Sequence, residues 1–268
     1  MRVCLCMIVK NEAGIIEATL RNVLDHMPIC AYSVCDTGST DATVSAITAF
    51  MTQHDVPGII HHCEWRDFGH NRTEAMDKAG PVALEHDCDY ILMHDADDLF
   101  KGTIHIPEHP QSDSYMFKFG PNFIYRRAQL FSSQKKWAYR GVLHEYAFCK
   151  SGQAVQTDMP GDYHLISGRS GNRNAAGDKY ERDAAVLEKA LVTESDPGLR
   201  ARYKFYLAQS YKDAGKRTLA ADAYRRVIED DVSWAQERYY SCLELANLVP
   251  EKLHWWMKSI QFDSERIE

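Results

Sequence analysis

A group of carboxylates follows a short apolar segment in the first half of the chain. Asp95, Asp97 and Asp98 come directly after the apolar run at 90–93. Carboxylates this close repel one another unless a cation lies between them. Oxygen ligands of this kind suit Mg²⁺ or Mn²⁺, which keep coordination positions open for the phosphate oxygens of a substrate. The pattern predicts a divalent-metal site, and an acidic, solvated turn is the alternative.

Strand and helix patterns alternate through the same part of the chain. Short apolar runs predict buried strands, and apolar side chains at helical spacing follow most of them. The strand patterns lie at 2–9, 31–35, 58–65 and 90–94, and the helical patterns at 12–24, 42–52 and 71–85, the last broken or bent at Gly80-Pro81. Such alternation predicts the α/β class, with an open, largely parallel sheet and right-handed crossovers.

Polar clusters follow three of these strand patterns. They occupy residues 10–12, 36–41 and 95–98. In sheets of this class, ligands bind beyond the carboxyl ends of the strands. We therefore expect three separate segments to converge on one ligand site at that edge.

The second part of the chain has helical patterns only. A glycine-rich stretch at 161–177 has the composition of a connecting loop. Beyond it, the pair Arg202-Tyr203 recurs as Arg238-Tyr239, and small and aromatic residues have the spacing of a tetratricopeptide-type helix pair. A peptide-binding groove needs about three repeats, and fewer are visible, which favours a packed helical appendage. The predicted helices lie at 179–191, 199–212, 219–229 and 235–248, and the predicted domains at 1–175 and 176–268.

The bulk composition limits the possible classes of protein. The formal net charge of -7 argues against a broad nucleic-acid surface, which needs many basic side chains. The apolar run at 2–9 is too short to span a membrane. The 8 cysteines contain no Cys-x-x-Cys pair, and this favours a reducing cytoplasm.

Four ordered motifs in residues 1–170 carry a family resemblance. They are Met7-Ile8-Val9-Lys10-Asn11-Glu12, Asp36-Thr37-Gly38-Ser39-Thr40-Asp41, Trp65-Arg66-Asp67-Phe68-Gly69-His70-Asn71-Arg72 and Asp95-Ala96-Asp97-Asp98. In this order they resemble the family 2 glycosyltransferases with the GT-A fold. The resemblance implies a Rossmann-like, nucleotide-sugar-binding GT-A domain, here followed by a small all-α, tetratricopeptide-like domain.

The resemblance also implies roles for residues around the donor. Asp36 looks like the acid that binds the base, and a carboxylate is a suitable acceptor for a pyrimidine N–H. Arg72 looks like the contact to the diphosphate, because a guanidinium matches phosphate oxygens. Arg169 in the glycine-rich loop could close over the diphosphate or remain a solvated charge. The remaining residues expected beside the donor are Asn11, Glu12, Asp95 and Ala96.

Metal ligands and a catalytic base are expected as well. Inversion at a sugar carbon needs a base for the proton of the acceptor hydroxyl, and Glu145 is our candidate. His144 places the acceptor or is the alternative base. By resemblance, the metal ligands are Asp97 and Asp95, with His164 as a third candidate that could equally be a buried, hydrogen-bonded histidine.

The function implied is metal-dependent transfer of a sugar, from a UDP-linked donor, with Mn²⁺ or Mg²⁺, by an enzyme of the hexosyltransferase type. A sugar-phosphate nucleotidyltransferase is an alternative, but it would need a basic, glycine-rich loop where this chain has Lys10-Asn11-Glu12-Ala13-Gly14. A catalytically inactive binding module built on the helical repeat is the second alternative. The acceptor stays open among a glycan, a protein, a small molecule and a modified base, and so does the oligomeric state.

Overall fold

A computed structural model describes residues 1–121, 124–168 and 178–264 of the chain. The chain divides into two compact units. The first consists of Met1–Arg140 with Glu145–Ala175, and the second of Gly141–His144 with Ala176–Glu268.

The first unit is built around one large, mostly parallel sheet. Strands β3, β2, β1 and β4 are parallel neighbours in that order, and the sheet continues through β7, β6, β11 and β5, of which β7 and β5 run antiparallel to their neighbours. The prediction of the α/β class with a mostly parallel sheet is therefore confirmed. The strands are β1 Val3–Val9, β2 Ile29–Asp36, β3 Gly58–His62, β4 Tyr90–Met93, β5 Asp98–Ile104, β6 Ser114–Phe119, β7 Tyr125–Ser132, β8 Trp137–Arg140, β9 Tyr146–Cys149, β10 Gln156–Asp158 and β11 Gly161–Ser167; the helices are α1 Ile16–His26, α2 Thr43–Gln53 and α3 Phe68–Glu85.

Helices cover both faces of the sheet at β1. Successive side chains of a strand point to opposite faces. Leu5 and Met7 therefore lie in one apolar cluster with residues of α1 and α2, whereas Cys4 and Cys6 lie in a second cluster with residues of α3. Burial on both faces explains why β1 is a continuous apolar run rather than an alternating one.

Helix α3 begins earlier than predicted and is not broken at its proline. Asp67 caps its first turn by accepting a hydrogen bond from the His70 amide at 2.8 Å. Pro81 lies inside the helix, where it removes one backbone hydrogen bond. Ala79 and Val82 beside it are buried against the sheet, so packing of this face outweighs the lost hydrogen bond.

A pair of thiols lies at the amino-terminal edge of the sheet. The pairing of β1 with β2 shifts in register between Val3 and Cys4, which leaves Cys30 as an extra residue in β2. The Cys30 Sγ atom lies 2.9 Å from the Cys88 Sγ atom. Burial, followed by the hydrogen bond with Cys88, raises the pKa of Cys30 to about 11.

This pKa gives a testable reactivity. Because the thiolate is the reactive form, alkylation of Cys30 by iodoacetamide should rise about tenfold per pH unit between about pH 7 and 10. Mass spectrometry of tryptic peptides at several pH values measures the rate, with Cys30→Ser as the control for peptide assignment. A rate that levels off near pH 8 would contradict the raised pKa.

The second unit contains helices in all four places where the sequence predicts them. A further helix near the end of the chain was not predicted. A cluster of small and aromatic side chains, including Ala208, Ala220, Tyr224 and Leu245, forms the core. The similarity to tetratricopeptide repeats stays a prediction. The helices are α4 Lys179–Thr193, α5 Pro197–Asp213, α6 Arg217–Glu229, α7 Ala235–Leu248 and α8 Lys252–Ser259.

Within the described ranges, no helix has both the length and the apolar character that crossing a membrane requires.

Candidate functional site

The three polar segments of the sequence meet at one edge of the sheet. Strand β1 lies between β2 and β4 and is parallel to both. Val9 at the end of β1 pairs with Asp36, and Cys6 pairs with Met93 at the end of β4. The segments that follow these strands therefore leave the sheet side by side. The expected convergence at one edge of the sheet is confirmed, and the ligand site there stays a prediction.

Hydrogen bonds join the segment after β1 to the segment after β2. The Asn11 side-chain oxygen accepts a hydrogen bond from the Thr40 amide at 2.7 Å. The Asn11 amide donates to the Ser39 hydroxyl at 3.0 Å, and the Glu12 amide donates to the Thr43 hydroxyl at 2.8 Å. Asn11 has a φ of 57°, a conformation that asparagine adopts more readily than most residues. These bonds fix the two segments expected to form the nucleotide pocket.

Asp36 is a buried carboxylate at the carboxyl end of β2. Its Oδ1 atom accepts a hydrogen bond from the Ser39 amide at 3.0 Å, and its Oδ2 atom lies 3.4 Å from the His62 Nδ1 atom. The Asp36 side chain is therefore held in one orientation at the ligand edge. Its predicted contact with a base stays a prediction.

Arg72 on α3 lies between two carboxylates. Its Nε atom donates to Glu145 Oε1 and its Nη2 atom to Asp95 Oδ1, each at 2.6 Å. The residue is only 4% exposed. Burial acts to lower the pKa of Arg72, but Asp95 and Glu145 outweigh it and raise this pKa above its ordinary value. In the structure the partners of this guanidinium are two carboxylates, whereas the sequence predicted a diphosphate.

Arg127 on β7 completes the network and was not identified from the sequence. Its Nη2 atom donates to Asp95 Oδ2 at 3.2 Å, and its Nη1 atom lies 3.9 Å from Asp98 Oδ2. Burial acts to raise the pKa of Asp95, but Arg72 and Arg127 outweigh it and hold this pKa well below its usual range. Both Asp95 oxygens are thus engaged by arginines.

Asp98 and His94 are two fully buried groups behind this network. Ser167 donates a hydrogen bond to Asp98 Oδ1 at 2.8 Å, and the His94 Nε2 atom lies 3.0 Å from the Asp98 carbonyl oxygen. Burial, followed by the charge of Asp95, raises the pKa of Asp98 from 3.8 to about 7. Burial lowers the pKa of His94 from 6.5 to about 4.

These two shifts predict opposing effects of pH on stability. The raised pKa of Asp98 stabilises the fold below about pH 4 and this contribution is lost as the pH rises to about 7. The lowered pKa of His94 stabilises the fold above about pH 6.5 and is lost as the pH falls to about 4. Asp98→Asn removes the first contribution alone, so acidification over this window should destabilise the variant more than the wild type.

Urea unfolding at several pH values between about 4 and 7 measures this difference. Asp222→Asn, which changes an exposed carboxylate on α6, is the matched control. If the free energy of unfolding changes with pH in the same way for Asp98→Asn and the wild type, the raised pKa of Asp98 is contradicted.

The expected metal ligands do not form a closed protein site. Within residues 1–121, 124–168 and 178–264, no three His, Cys, Asp or Glu side chains are grouped so that they could hold a metal ion, so Asp95, Asp97 and His164 are not brought together as a set of three. His164 is half-buried on β11, where it pairs with Lys101. Asp97 is also half-buried, in the turn between β4 and β5. Metal binding at these residues stays a prediction.

The backbone around Asp97 is fixed from two sides. The Ala96 carbonyl oxygen accepts a hydrogen bond from the Thr19 hydroxyl of α1 at 2.6 Å. A Cβ atom added to Gly168 would lie 2.2 Å from the Asp97 carbonyl oxygen, so the chain after β11 approaches this turn closely. Arg169, the next residue, lies outside the described residues.

Glu145 and His144 are neighbours in the chain with different surroundings. The Glu145 side chain is 10% exposed and is paired with Arg72. His144 belongs to the second unit, is exposed, and has a φ of 55°. Its ring stacks on Tyr206 of α5 with a centroid distance of 3.7 Å and an interplanar angle of 8°.

Comparison with known proteins gives one family match. Residues 4–109 match the model of the family described as Glycosyl transferase family 2. No curated protein matches the chain.

Solved structures with a similar chain trace include three of interest. TarS 1-349 of S. aureus in complex with UDP is 11% identical, with 99% of this chain and 92% of that chain covered and a TM-score of 0.42. The mannosyltransferase PcManGT from Pyrobaculum calidifontis, in complex with GDP-Man and Mn²⁺, is 18% identical, with coverages of 97% and 84% and a TM-score of 0.43. A 4-diphosphocytidyl-2C-methyl-D-erythritol synthase is 14% identical, with coverages of 49% and 75% and a TM-score of 0.31.

At such identities and TM-scores the three structures carry no argument about function. The family match does, because it includes β1 to β5 and therefore the three polar segments at the ligand edge. Residues 4–109 are thus similar to glycosyl transferase family 2, and this match supports a glycosyltransferase with a GT-A fold.

Proposed function

We propose that the protein transfers a sugar from a UDP-linked donor to an acceptor hydroxyl, with a divalent metal ion and with inversion at the sugar carbon. The observation that carries this proposal is the buried network at the ligand edge of the sheet. Arg72 joins Asp95, in the carboxylate-rich turn, directly to Glu145, the candidate base. One rigid arginine thus sets the position of both groups.

The nucleotide is assigned to the segments after β1 and β2. Asp36 would accept a hydrogen bond from the N–H of the uracil ring, because it is fixed by the Ser39 amide at the end of its strand. Asn11 and Glu12 are tied to the same segment through their backbone amides. These hydrogen bonds would hold the proposed pocket in place before a ligand binds, which lowers the entropic cost of binding.

The residues present fit a metal ion that shares its ligands with the donor. We assign Asp97 and Asp95, which lie in one carboxylate-rich turn after β4, as the protein ligands. Mg²⁺ and Mn²⁺ are commonly held by one or two carboxylates, with phosphate oxygens and water at the other positions, and a closed protein site is not required. When bound, the ion would neutralise the diphosphate leaving group.

Glu145 is assigned as the base. Arg72 engages its Oε1 atom, so Oε2 is the atom to which we assign the proton of the acceptor hydroxyl. As the acceptor oxygen bonds to the sugar carbon, the bond to the nucleoside diphosphate breaks on the opposite face. This displacement inverts the configuration at that carbon.

A donor-hydrolysis screen tests the proposal. Purified protein is incubated with Mn²⁺ or Mg²⁺ and a panel of UDP-, GDP- and other nucleotide sugars, and nucleotide release is followed. Release from a UDP-sugar that is abolished by a chelator and by Asp97→Asn, but not by Asp222→Asn on the exposed face of α6, would support it. Release from a different nucleotide sugar would contradict the assignment of a UDP-linked donor. Thermal stabilisation by UDP with no release of nucleotide would favour a binding module over an enzyme.

A further inference from the structure

Three cysteine side chains lie together in the apolar cluster beside α3. The Cys30 Sγ atom lies 2.9 Å from the Cys88 Sγ atom and 3.6 Å from the Val3 carbonyl oxygen. Cys4 is the third, and its hydrogen bond with Cys88, followed by burial, raises the pKa of Cys88. Cys30 is half-buried, whereas Cys4 and Cys88 are buried. A reagent in the solvent therefore reaches Cys30 before it reaches the other two thiols.

The backbone of the buried partner is held in place. The Cys88 amide donates a hydrogen bond to the Ala83 carbonyl oxygen at 2.8 Å, and the Cys88 carbonyl oxygen accepts one from the Ser133 hydroxyl at 2.7 Å. Cys30 lies in the bulge of β2. The sulfur atoms of a disulfide are about 2.05 Å apart, so Cys30 and Cys88 need to approach by about 0.9 Å to form one. The fold thus brings these two thiols close to bonding distance.

The same pair of thiols reacts slowly at neutral pH. The raised pKa values of Cys30 and Cys88 keep both side chains in the thiol form there. The thiolate is the reactive form, and its fraction rises about tenfold per pH unit below the pKa. A thiolate of high pKa is a strong nucleophile once it forms. Reaction of the pair with an oxidant is therefore slow and becomes faster as the pH rises.

We propose that Cys30 and Cys88 form an oxidation site, at which a small disulfide of the glutathione type converts the two thiols to a reversible disulfide bond that stabilises the first unit. The Cys30 thiolate attacks one sulfur atom of the oxidant. A mixed disulfide forms, and the released thiolate takes up the proton that Cys30 has lost. The Cys88 sulfur then attacks the Cys30 sulfur, and its proton passes to the second leaving sulfur. Two protein thiols are oxidised, and one small disulfide is reduced to two thiols.

The bond would join two parts of the sheet that are not neighbours. Cys30 lies at the start of β2 and Cys88 lies just before β4, and β1 is between these two strands. The bond would therefore cross β1 and close a loop of residues 30–88. A cross-link stabilises mainly by restricting the unfolded chain, and a long loop increases this effect. The bond would lie at the amino ends of β2 and β4, opposite the ligand edge.

Peptide mapping of the wild-type protein tests the pairing. The reduced protein is incubated with oxidised glutathione at about pH 9, where the thiolate fraction is higher. Remaining thiols are blocked with N-ethylmaleimide, and the protein is digested with trypsin and chymotrypsin without reductant. Chymotrypsin cuts after Tyr32, which separates Cys30 from Cys35. We expect a cross-linked pair of peptides containing Cys30 and Cys88, separable by dithiothreitol and formed about tenfold more slowly at one pH unit lower. Cys88 joined to Cys4, or Cys30 left free or joined only to glutathione, would overturn the proposal.

Thermal unfolding tests the stabilisation. The oxidised wild type should have a Tm about 5–10 °C above that of the reduced protein. Cys30→Ser and Cys88→Ser should show no such rise. Cys149→Ser, which changes another half-buried cysteine, is the matched control and should keep the rise. If the mapped Cys30–Cys88 bond forms and the Tm does not increase, the stabilising role is refuted.

Discussion

Replacing Arg72 by methionine is expected to lower the free energy of unfolding by about 3–5 kcal/mol, because removing one partner of a buried ion pair leaves an uncompensated charge. Here Glu145 and Asp95 both lose their ion pair with Arg72. The Glu145 side chain is 10% exposed and that of Asp95 is 22% exposed. Asp95 keeps its ion pair with Arg127 at 3.2 Å, whereas Glu145 loses the ion pair with Arg72. The pKa of Asp95 should rise in this variant, since Arg72 is the stronger of the two opposite charges that lower it.

Chemical unfolding in urea at neutral pH measures the loss. Arg126→Met is the matched control, because Arg126 is an exposed neighbour of Arg127 paired with exposed Asp158 at 2.7 Å. An exposed pair contributes about 0–1 kcal/mol, so this control should stay within that range of the wild type. If Arg72→Met costs no more than Arg126→Met, the buried network does not carry the stability assigned to it.

Replacing Glu145 by glutamine is expected to lower kcat for nucleotide release by about 10²–10⁴, the usual contribution of a general base. The amide can still accept the hydrogen bond from Arg72, so the position of the side chain is kept while its ability to take a proton is lost. Binding of the donor should be unchanged, since the nucleotide segments follow β1 and β2. Steady-state kinetics of nucleotide release give both quantities.

Glu244→Gln is the matched control for this loss. Glu244 on α7 is also partly buried and paired with a cation, Lys212 Nζ at 2.9 Å. It belongs to the second unit and lies far from Glu145 in the sequence. The control should therefore keep the wild-type kcat. A Glu145→Gln variant within tenfold of the wild type would remove Glu145 from the mechanism.

The ligand edge of the sheet could be predicted because its signals are local. Each polar segment follows its own apolar strand in the sequence, and the parallel order of such strands is a general property of the class. Helices α4 to α7 of the second unit were predictable for a similar reason, since each one carries its own periodic pattern.

The partners of the charged side chains could not be predicted in the same way. Arg127 meets Asp95 only because β7 pairs with β4 in a specific antiparallel register, and Tyr90 is paired there with Ser132. No local pattern in the sequence defines that register. The same holds for Arg72, whose two carboxylate partners come from segments distant in the chain. The sequence predicted Arg72 as a phosphate contact and identified neither of these partners.

The close approach of Gly168 to the Asp97 carbonyl oxygen has a consequence at the level of the gene. Every single-nucleotide missense change of a glycine codon introduces a residue with a Cβ atom, and that atom would lie 2.2 Å from this oxygen. A single-base missense change at this codon therefore disturbs the turn of Asp97. Natural variation at this codon should be confined to synonymous changes, whereas codon 14, where an added Cβ meets no atom within 4 Å and the backbone conformation suits other residues, is free of this restriction.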